Sequence, residues 1–463
     1  MAGKLKIVVS DLHVGAGDFA APNPLDDFTP YHEFTRLLEE IKMEGKRDQK
    51  EVEFIINGDL FEFLQVPAVD DFDPLTDYPP EAYRDSSAEA SVRRLNIIAE
   101  RHAPLFAALS DFIHAEPPVR RLTIIKGNHD VNLYWPQVKA RLRELLGATG
   151  VRSSLLLFAE EFVNRENVYI EHGHQRTEKI NRFPDFLHPV DPDHPGQLYY
   201  PPGSEFILNY FNQAERQIWW IDNVKPISAL IWYTLAWDFN LAMRLFLQFV
   251  RYVPGLLVGS LSAAGEETAG DWLAQWQDEA HREEIARRYA ADPAFRRQFH
   301  RRLAQVLRDA GPPDVPRPLA EAEEDDPLAF ARAEQEALYS TLRRDAAALI
   351  AEGRAQVVLF AHTHRPAFEQ LPAGGYYINT GTWLWDEDMS RASKEAWFDL
   401  FEHPEKYLNT QRLPYARLDY DEAGNPTPRL LDFSGRGFEW ERPLSFWEKI
   451  MAWLYRLFGA EYR

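Results

Sequence analysis

The first part of the chain alternates short β-branched runs with longer segments of helical periodicity. Two segments, 31–45 and 90–116, repeat apolar residues at the spacing of amphipathic helices. Buried strands are predicted for four short apolar runs: 6–10, 52–58, 122–127 and 168–173. Strands and helices in alternation predict an α/β fold in which crossover helices join parallel strands.

After about residue 180 this pattern is interrupted. The chain becomes rich in Pro, Asp and His, and 206–310 then has the periodicity of long helices with aromatic and Arg-rich faces. From Asp326 the strand and helix pattern returns, beginning with a helix that has an Asp cap. We therefore expect a catalytic domain of residues 1–180 and 326–433, with a helical, aromatic-rich insertion or cap of residues 181–325.

The last predicted unit, residues 434–463, contains an amphipathic helix at 445–459. Its apolar stripe includes Trp447, Ile450 and Leu454. We favour packing of this helix against the catalytic domain, with anchoring at a membrane surface as the alternative.

The most apolar stretch of the chain, 227–261, is not predicted to span a membrane. Polar residues including Asp238, Arg244 and Arg251 interrupt it every few positions. A charge near the centre of a bilayer costs about 2.5–3.5 kcal/mol on insertion scales. A buried helix pair or an apolar groove fits this pattern better.

Composition narrows the possible functions. The chain has no cysteine among its 463 residues, so disulfides and thiolate metal sites are excluded. A formal net charge of −21 argues against a broad nucleic-acid surface, because phosphate contacts require clustered Lys and Arg. The N-terminal apolar run is too short for a signal peptide, so we expect a cytoplasmic protein.

Residues of the types that bind metals lie at the ends of the four strands predicted in the first part of the chain and of a fifth predicted strand, 356–362. They are Asp11 and His13; Asp59; Asn128, His129 and Asp130; His172 and His174; and His362 and His364. Ligand sites of open α/β sheets form at the carboxyl ends of the strands, so five loops are expected to deliver these side chains to one place.

The residue types and their spacing indicate a pair of divalent metal ions. In an extended segment, residues two apart point the same way, so Asp11 and His13 can hold one ion. His362 and His364 can share an ion or serve two adjacent ions, and Asp59 is the candidate bridge. Carboxylate, imidazole and amide oxygen together favour Mn, Fe or Zn. Two ions about 3.5–4 Å apart support in-line displacement at phosphorus by a bridging hydroxide.

The order D-x-H, G-D, G-N-H-D, H-G-x, x-H-x-H resembles the calcineurin-like metallophosphoesterase superfamily over residues 5–180 and 350–395. The resemblance implies a four-layer sandwich of two packed mixed β-sheets flanked by helices. It also implies two ligand sets that share Asp59: Asp11, His13, Asp59 and His364 for one metal, and Asp59, Asn128, His172 and His362 for the other. His129 would act beside the substrate phosphate, and Asp130 would orient that loop or that histidine.

Four further residues are expected either to support the ligands or to contact substrate: Glu62, His174, Arg365 and Asn379. Within the superfamily, "GDLFEF" and "AHTHRP" are most similar to the UDP-2,3-diacylglucosamine pyrophosphatase branch, which holds acyl chains under a helical cap. The insertion here is far longer, and His129 stands where that branch often has Arg. Ala361 also replaces the glycine that commonly precedes His-x-His.

The sequence therefore predicts dinuclear, metal-dependent hydrolysis of a phosphodiester or pyrophosphate bond. The expected cofactor is two divalent ions, with Mn preferred over Fe or Zn. The aromatic-rich insertion is compatible with a lipid-linked or nucleotide-linked substrate that has an apolar tail. It is also compatible with peripheral membrane contact. The alternatives are a cyclic-nucleotide phosphodiesterase or nuclease, and a non-catalytic interaction protein of this fold. No stable nucleic-acid partner is expected, and the oligomeric state stays open.

Overall fold

The computed structural model describes most of both predicted halves of the catalytic domain. The described residues are 3–17, 25–177, 179–216, 218–221, 223–225, 233–234, 237–243, 279–296, 298–299, 327–372 and 374–438. The predicted C-terminal helix at 445–459 and most of the predicted insertion helices at 206–310 lie outside them.

The described residues contain both strands and helices. The strands are β1 (Gly3–Val9), β2 (Lys50–Asn57), β3 (Arg120–Ile125), β4 (Leu156–Ala159), β5 (Phe162–Arg165), β6 (Val168–Glu171), β7 (Val224–Lys225), β8 (Val357–Phe360), β9 (Ala367–Gln370), β10 (Tyr376–Asn379), β11 (Glu387–Asp388), β12 (Pro414–Tyr420) and β13 (Pro426–Asp432). The α-helices are α1 (Tyr31–Arg47), α2 (Glu81–Arg84), α3 (Ala88–Arg101), α4 (Ala103–His114), α5 (Pro136–Leu145), α6 (Pro202–Phe206), α7 (Asn212–Ala214), α8 (Glu279–Ala291), α9 (Pro327–Ala351) and α10 (Lys394–Glu402).

Short helical turns complete the local structure. A π-helical turn covers Ile207–Phe211. The 3₁₀ turns cover Phe63–Gln65, Val131–Tyr134, Gly150–Leu155, His174–Arg176, Lys179–Asn181, Pro404–Lys406 and Leu408–Thr410. The periodic segment 90–116 is divided between α3 and α4 at His102, because Pro104 has no N–H to continue the first helix.

Two mixed sheets form the centre of the fold. The first has the order β13-β12-β1-β2-β3-β4, with β1 to β4 parallel and β12 antiparallel to β1. The second has the order β5-β6-β8-β10-β9, in which β6, β8 and β10 are parallel. The predicted alternation of strands and helices is thus confirmed.

The central strands β1, β2, β3, β6 and β8 are buried on both faces, which produces four layers. In β1, Ile7 and Val9 face the helices α1, α3, α4 and α5, while Val8 faces the second sheet. On the far side, α9 packs Leu342 and Ala346 against the second sheet. Burial on both faces explains why the strands have continuous apolar runs instead of alternating ones. The four-layer α/β sandwich implied by the resemblance is confirmed.

The described part of the insertion packs against a segment that follows the second sheet. Aromatic and aliphatic side chains from 206–224 share one apolar cluster with side chains from 385–401. The strands β7 and β11 also pair in parallel between these two segments. None of the helices among the described residues has the length and apolar character needed to cross a bilayer. The domain boundaries given above stay a prediction.

Candidate metal centre

The loops that follow the strands bring the candidate ligands together through an unusual backbone conformation. Asp11, His13, Asp59, His362 and His364 all have φ between 45° and 70°. This left-handed region costs non-glycine residues about 1–3 kcal/mol and persists where the surrounding structure enforces it. The turn at each residue aims the side chain back across the carboxyl edge of the sheets.

Two glycines permit the close approach of neighbouring loops. A Cβ atom on Gly58, whose φ is +81°, would lie 2.3 Å from His172 Nδ1. A Cβ atom on Gly127 would lie 2.1 Å from Asp59 Oδ1. The G-D and G-N-H-D motifs therefore need glycine because the loops of adjacent strands are in contact there.

One group of candidate ligand atoms comprises Asp11, His13 and His364. His364 Nε2 lies 3.5 Å from Asp11 Oδ1, and His13 Nε2 lies 4.0 Å from the same oxygen. Asp11 Oδ1 and His13 Nε2 are buried and have no hydrogen-bond partner in the described structure. Buried polar atoms without partners are costly, so two such atoms facing each other fit a cation between them.

A second group comprises Asp59, Asn128, His172 and His362. His172 Nε2 lies 3.0 Å from Asp59 Oδ2 and 3.2 Å from Asn128 Oδ1. The carbonyl of Asn57 lies 2.9 Å from His172 Nδ1, which favours a proton on that nitrogen and leaves Nε2 for a metal. Ligand atoms of Asp59, His172 and His362 all lie within 4.8 Å of one another.

Asp59 belongs to both halves of the centre. Its carboxylate also forms a compact set with His13 and His129, with His13 Nε2 3.8 Å from Asp59 Oδ2. The other oxygen, Oδ1, accepts a 2.9 Å hydrogen bond from the backbone N–H of His129. The donor types and their convergence fit two divalent ions that share this carboxylate.

Glu62 connects a candidate metal ligand to the candidate catalytic histidine. One of its oxygens, Oε2, lies 2.8 Å from His13 Nδ1 and also pairs with His129 Nδ1. The second oxygen accepts a 3.1 Å hydrogen bond from the backbone N–H of Leu64. This places Glu62 behind both rings and directs their Nε2 atoms toward the centre.

Asp130 braces two loops. Its oxygens accept hydrogen bonds from the backbone N–H groups of Leu60, at 2.8 Å, and Gly127, at 2.6 Å. Of the two roles left open by the sequence, these contacts favour orientation of the loop over orientation of His129. Burial and the nearby Asp59 charge raise the pKa of Asp130 to about 7.

The carboxylates and histidines of the centre shift one another's pKa values strongly. Burial lowers the pKa of His172, but the charges of Asp59 and Asp11 outweigh it and raise that pKa to about 10. Burial also lowers the pKa of His129, while Glu62 and Asp59 raise it to about 9. Burial raises the pKa of Asp59, and His172 and His129 reverse this and hold it well below its usual value. Histidines and carboxylates of this centre therefore favour each other's charged forms.

His174 is buried next to the centre in an apolar environment. Its ring centroid lies 4.4 Å from that of Phe186 and 5.4 Å from that of His172. Neither ring nitrogen has a hydrogen-bond partner in the described structure. Burial, together with His172 and His362, holds the pKa of His174 well below its usual value. The ring therefore lies beside the centre as a neutral group.

Two other sequence candidates occupy positions outside the ligand groups. Asn379 donates hydrogen bonds to the carbonyl of Ala361 at 3.0 Å and to Thr363 Oγ1 at 3.1 Å, so it braces the His-x-His loop. Arg365 lies over the ring of Tyr339 at 4.5 Å and 3.8 Å from Glu336 on α9. The structure therefore does not bring Arg365 to the candidate ligands.

Sequence reasoning missed two residues that lie next to the His-x-His histidines. Asn181 Nδ2 is 3.4 Å from His362 Nε2. Asp386 Oδ2 is 3.5 Å from His364 Nδ1. Asn181 ends a 3₁₀ turn and Asp386 lies just before β11. Neither position has ligand spacing in the sequence, so no local signal identified them.

A family model and a solved structure are similar to this chain. A family model described as calcineurin-like phosphoesterase matches residues 7–240, just over half of the chain. Among solved structures, a dimetal phosphatase from Danio rerio is similar at 10% sequence identity, 91% coverage of this chain, 94% coverage of that chain and a TM-score of 0.29. No curated protein matches the sequence significantly.

Proposed function

The chain belongs to the calcineurin-like phosphoesterase family and is a metal-dependent phosphoesterase, and we propose that it hydrolyses a phosphodiester or pyrophosphate bond at this centre. The family implies a dinuclear divalent metal site and a phosphate-ester substrate. One observation carries the proposal: side chains from five separate loops converge in overlapping sets around Asp59, with buried atoms that have no partner.

In this proposal, Asp59 is shared by two ions. Asp11, His13 and His364 complete the ligands of the first, and Asn128, His172 and His362 complete those of the second. The distances between their ligand atoms support this allocation. Carboxylate, imidazole and amide donors are compatible with manganese, which we propose as the working metal, ahead of iron or zinc.

The chemistry that bound divalent ions supply is neutralisation of phosphoryl charge and a lowered pKa of water between them. The protein's own part begins with His129, which Glu62 holds through Nδ1 so that Nε2 faces the reacting phosphate. Burial lowers the pKa of His129, but the carboxylates of Glu62 and Asp59 outweigh it and raise that pKa above its ordinary value, which favours the protonated ring. His129 can therefore stabilise developing charge or protonate the leaving oxygen. Asp130 keeps its loop in place.

The insertion supports a substrate that has an apolar part. Phe183 and Phe186 approach the centre through His174. Farther along, Trp219 and Trp237 expose 39% and 43% of their surface. Exposed tryptophans on the insertion fit an amphipathic, lipid-linked or nucleotide-linked substrate and peripheral contact with a membrane surface.

A panel of substrates tests the proposal. Metal-free protein reconstituted with Mn²⁺ should hydrolyse bis(p-nitrophenyl) phosphate faster than p-nitrophenyl phosphate, and a pyrophosphate with an acyl chain faster than its deacylated form. Preference for the monoester would overturn the diester or pyrophosphate assignment, and equal rates with and without the acyl chain would overturn the apolar tail. Rapid turnover of a cyclic nucleotide would instead support the alternative phosphodiesterase.

A further inference from the structure

The insertion reaches the metal centre through a short pair of strands. Val224 and Lys225 of β7 lie opposite Glu387 and Asp388 of β11. The backbone N–H of Met389 donates a 2.8 Å hydrogen bond to the carbonyl of Lys225. This pairing places Lys225, a residue of the insertion, next to Asp386, which immediately precedes β11.

Asp386 lies between Lys225 and the candidate ligand His364. Its Oδ2 atom is 3.5 Å from His364 Nδ1 and 4.0 Å from Lys225 Nζ. The opposite ring nitrogen of His364, Nε2, is 3.5 Å from Asp11 Oδ1. The carboxylate and the metal-facing oxygen are therefore on opposite sides of the same imidazole.

This arrangement can fix both the orientation and the tautomer of His364. A carboxylate next to Nδ1 favours a proton on that nitrogen, which leaves the Nε2 lone pair for a metal. The ammonium group of Lys225 next to this carboxylate attracts it and limits its movement. The side chains of Lys225 and Asp386 are both mostly buried, with exposed fractions of 21% and 16%, so water screens their interaction only in part.

Packed apolar side chains lie behind this pair. The residues that flank Lys225 and Asp386 belong to one apolar cluster, which includes Trp220, Ile221 and Val224 from the insertion and Trp385 and Met389 from the opposite segment. A residue held on packed elements can position its neighbour more accurately than one on an exposed loop.

We infer that Asp386 and Lys225 are positioning residues of the metal centre, and that the insertion thereby sets the metal affinity of the His364 site. The inference rests on the proposed metal ligands but not on the proposed substrate. It assigns to the insertion a role in building the centre as well as in covering it.

Calorimetric titration of metal-free full-length protein with Mn²⁺ tests this inference. Asp386→Asn and Asp386→Ala should each weaken one of two binding events by about 10–100-fold, as expected for loss of a group that orients a ligand. Lys225→Met should weaken the same event by about two- to fivefold, and Lys225→Arg should restore it. The matched control is Lys394→Met, since Lys394 lies over Phe398 on α10 and outside the centre.

The outcomes separate this inference from the proposed function. Wild-type affinity at both sites in the two Asp386 variants, with unchanged thermal unfolding, would overturn it. Equal affinities for Lys225→Met and Lys394→Met would overturn the part assigned to the insertion. If the wild-type protein binds two ions and one of the two binding events is weakened in the variants as expected, the inference holds even where no phosphodiester is hydrolysed. That failure would count against the proposed function.

Discussion

The two ends of strands β1 and β2 compensate their buried carboxylates in different ways. At the amino ends, Lys6 Nζ lies 2.8 Å from Glu53 Oε2 and 2.6 Å from Glu166 Oε2. At the carboxyl ends, Asp11 and Asp59 face histidines instead. Both ends belong to the same two strands, so the difference lies in the chemistry of the side chains that face them.

The ion network at the amino ends is permanent, whereas histidines at the carboxyl ends can exchange a proton for a metal. Lysine stays protonated across the physiological range, so the amino-end network is fixed and structural. Histidine can release its proton and offer the same nitrogen to a metal. The carboxyl ends therefore have carboxylates whose compensating protons a divalent cation can replace. Changes at the two ends should therefore have different consequences.

The largest effect is expected at the shared carboxylate. Asp59→Asn removes the charge common to both proposed ligand sets, and hydrolysis of bis(p-nitrophenyl) phosphate should fall by at least about 10²–10³-fold. Far-UV circular dichroism should be unchanged, because the amide has the same shape. Undiminished hydrolysis with Mn²⁺ would contradict the assigned bridge.

A large effect is also expected at His129, but with the metals retained. His129→Ala should lower kcat by about 10²–10⁴-fold while the protein still binds two Mn²⁺ ions. If His129 protonates the leaving oxygen, the loss should be greater for alkyl esters than for p-nitrophenyl esters, whose leaving group needs no proton. Loss of a metal ion in this variant would instead make His129 a ligand.

A moderate effect is expected in the pH dependence of metal binding. In the metal-free protein His172, with a pKa of about 10, is protonated at pH 7. Its Nε2 must lose that proton to bind a metal, so the apparent affinity should rise by about tenfold per pH unit for each proton released. Calorimetry in buffers of different ionisation enthalpy measures the release directly. An affinity that does not change between pH 6.5 and 8.5 would contradict the exchange.

The smallest effect is expected at the amino ends. Burial raises the pKa of Glu166, but Lys4 and Lys6 outweigh it and lower that pKa to about 2. The stabilisation is therefore fully present above the ordinary pKa of a glutamate and is lost as pH falls through about 2. Glu166→Gln should lower the free energy of unfolding by about 0.2–1 kcal/mol at neutral pH, since the site is partly exposed. Chemical denaturation measures this, and kcat should not change.

The sequence predicted the parts of the centre that depend on strand ends. Asp11, Asp59 and His172 each follow a continuous apolar run, so burial of the strand and the chemistry of the next residues could be inferred together. The G-D motif that contains Gly58 can be seen in the sequence. The close contact with His172 that requires glycine there cannot.

The remainder depends on contacts between segments that are distant in sequence. Asp386 acts on His364 only because β7 and β11 pair, and two-residue strands leave no periodic signal. Arg365 follows a ligand motif, yet its side chain lies over Tyr339 on α9. The sequence predicts this helix but not which of its faces packs against the loop. A position next to a ligand motif in sequence therefore does not predict contact with the metal centre, because tertiary packing decides where such a side chain lies.

Reconstitution of the metal-free protein tests the central claim most directly. Protein freed of metal by a chelator should hydrolyse no bis(p-nitrophenyl) phosphate, and stepwise addition of Mn²⁺ should restore the rate until two ions are bound per chain. An anomalous-scattering map of the reconstituted protein should then show both ions next to Asp59. Full hydrolysis by the metal-free protein, or ions bound elsewhere with this centre empty, would contradict the account.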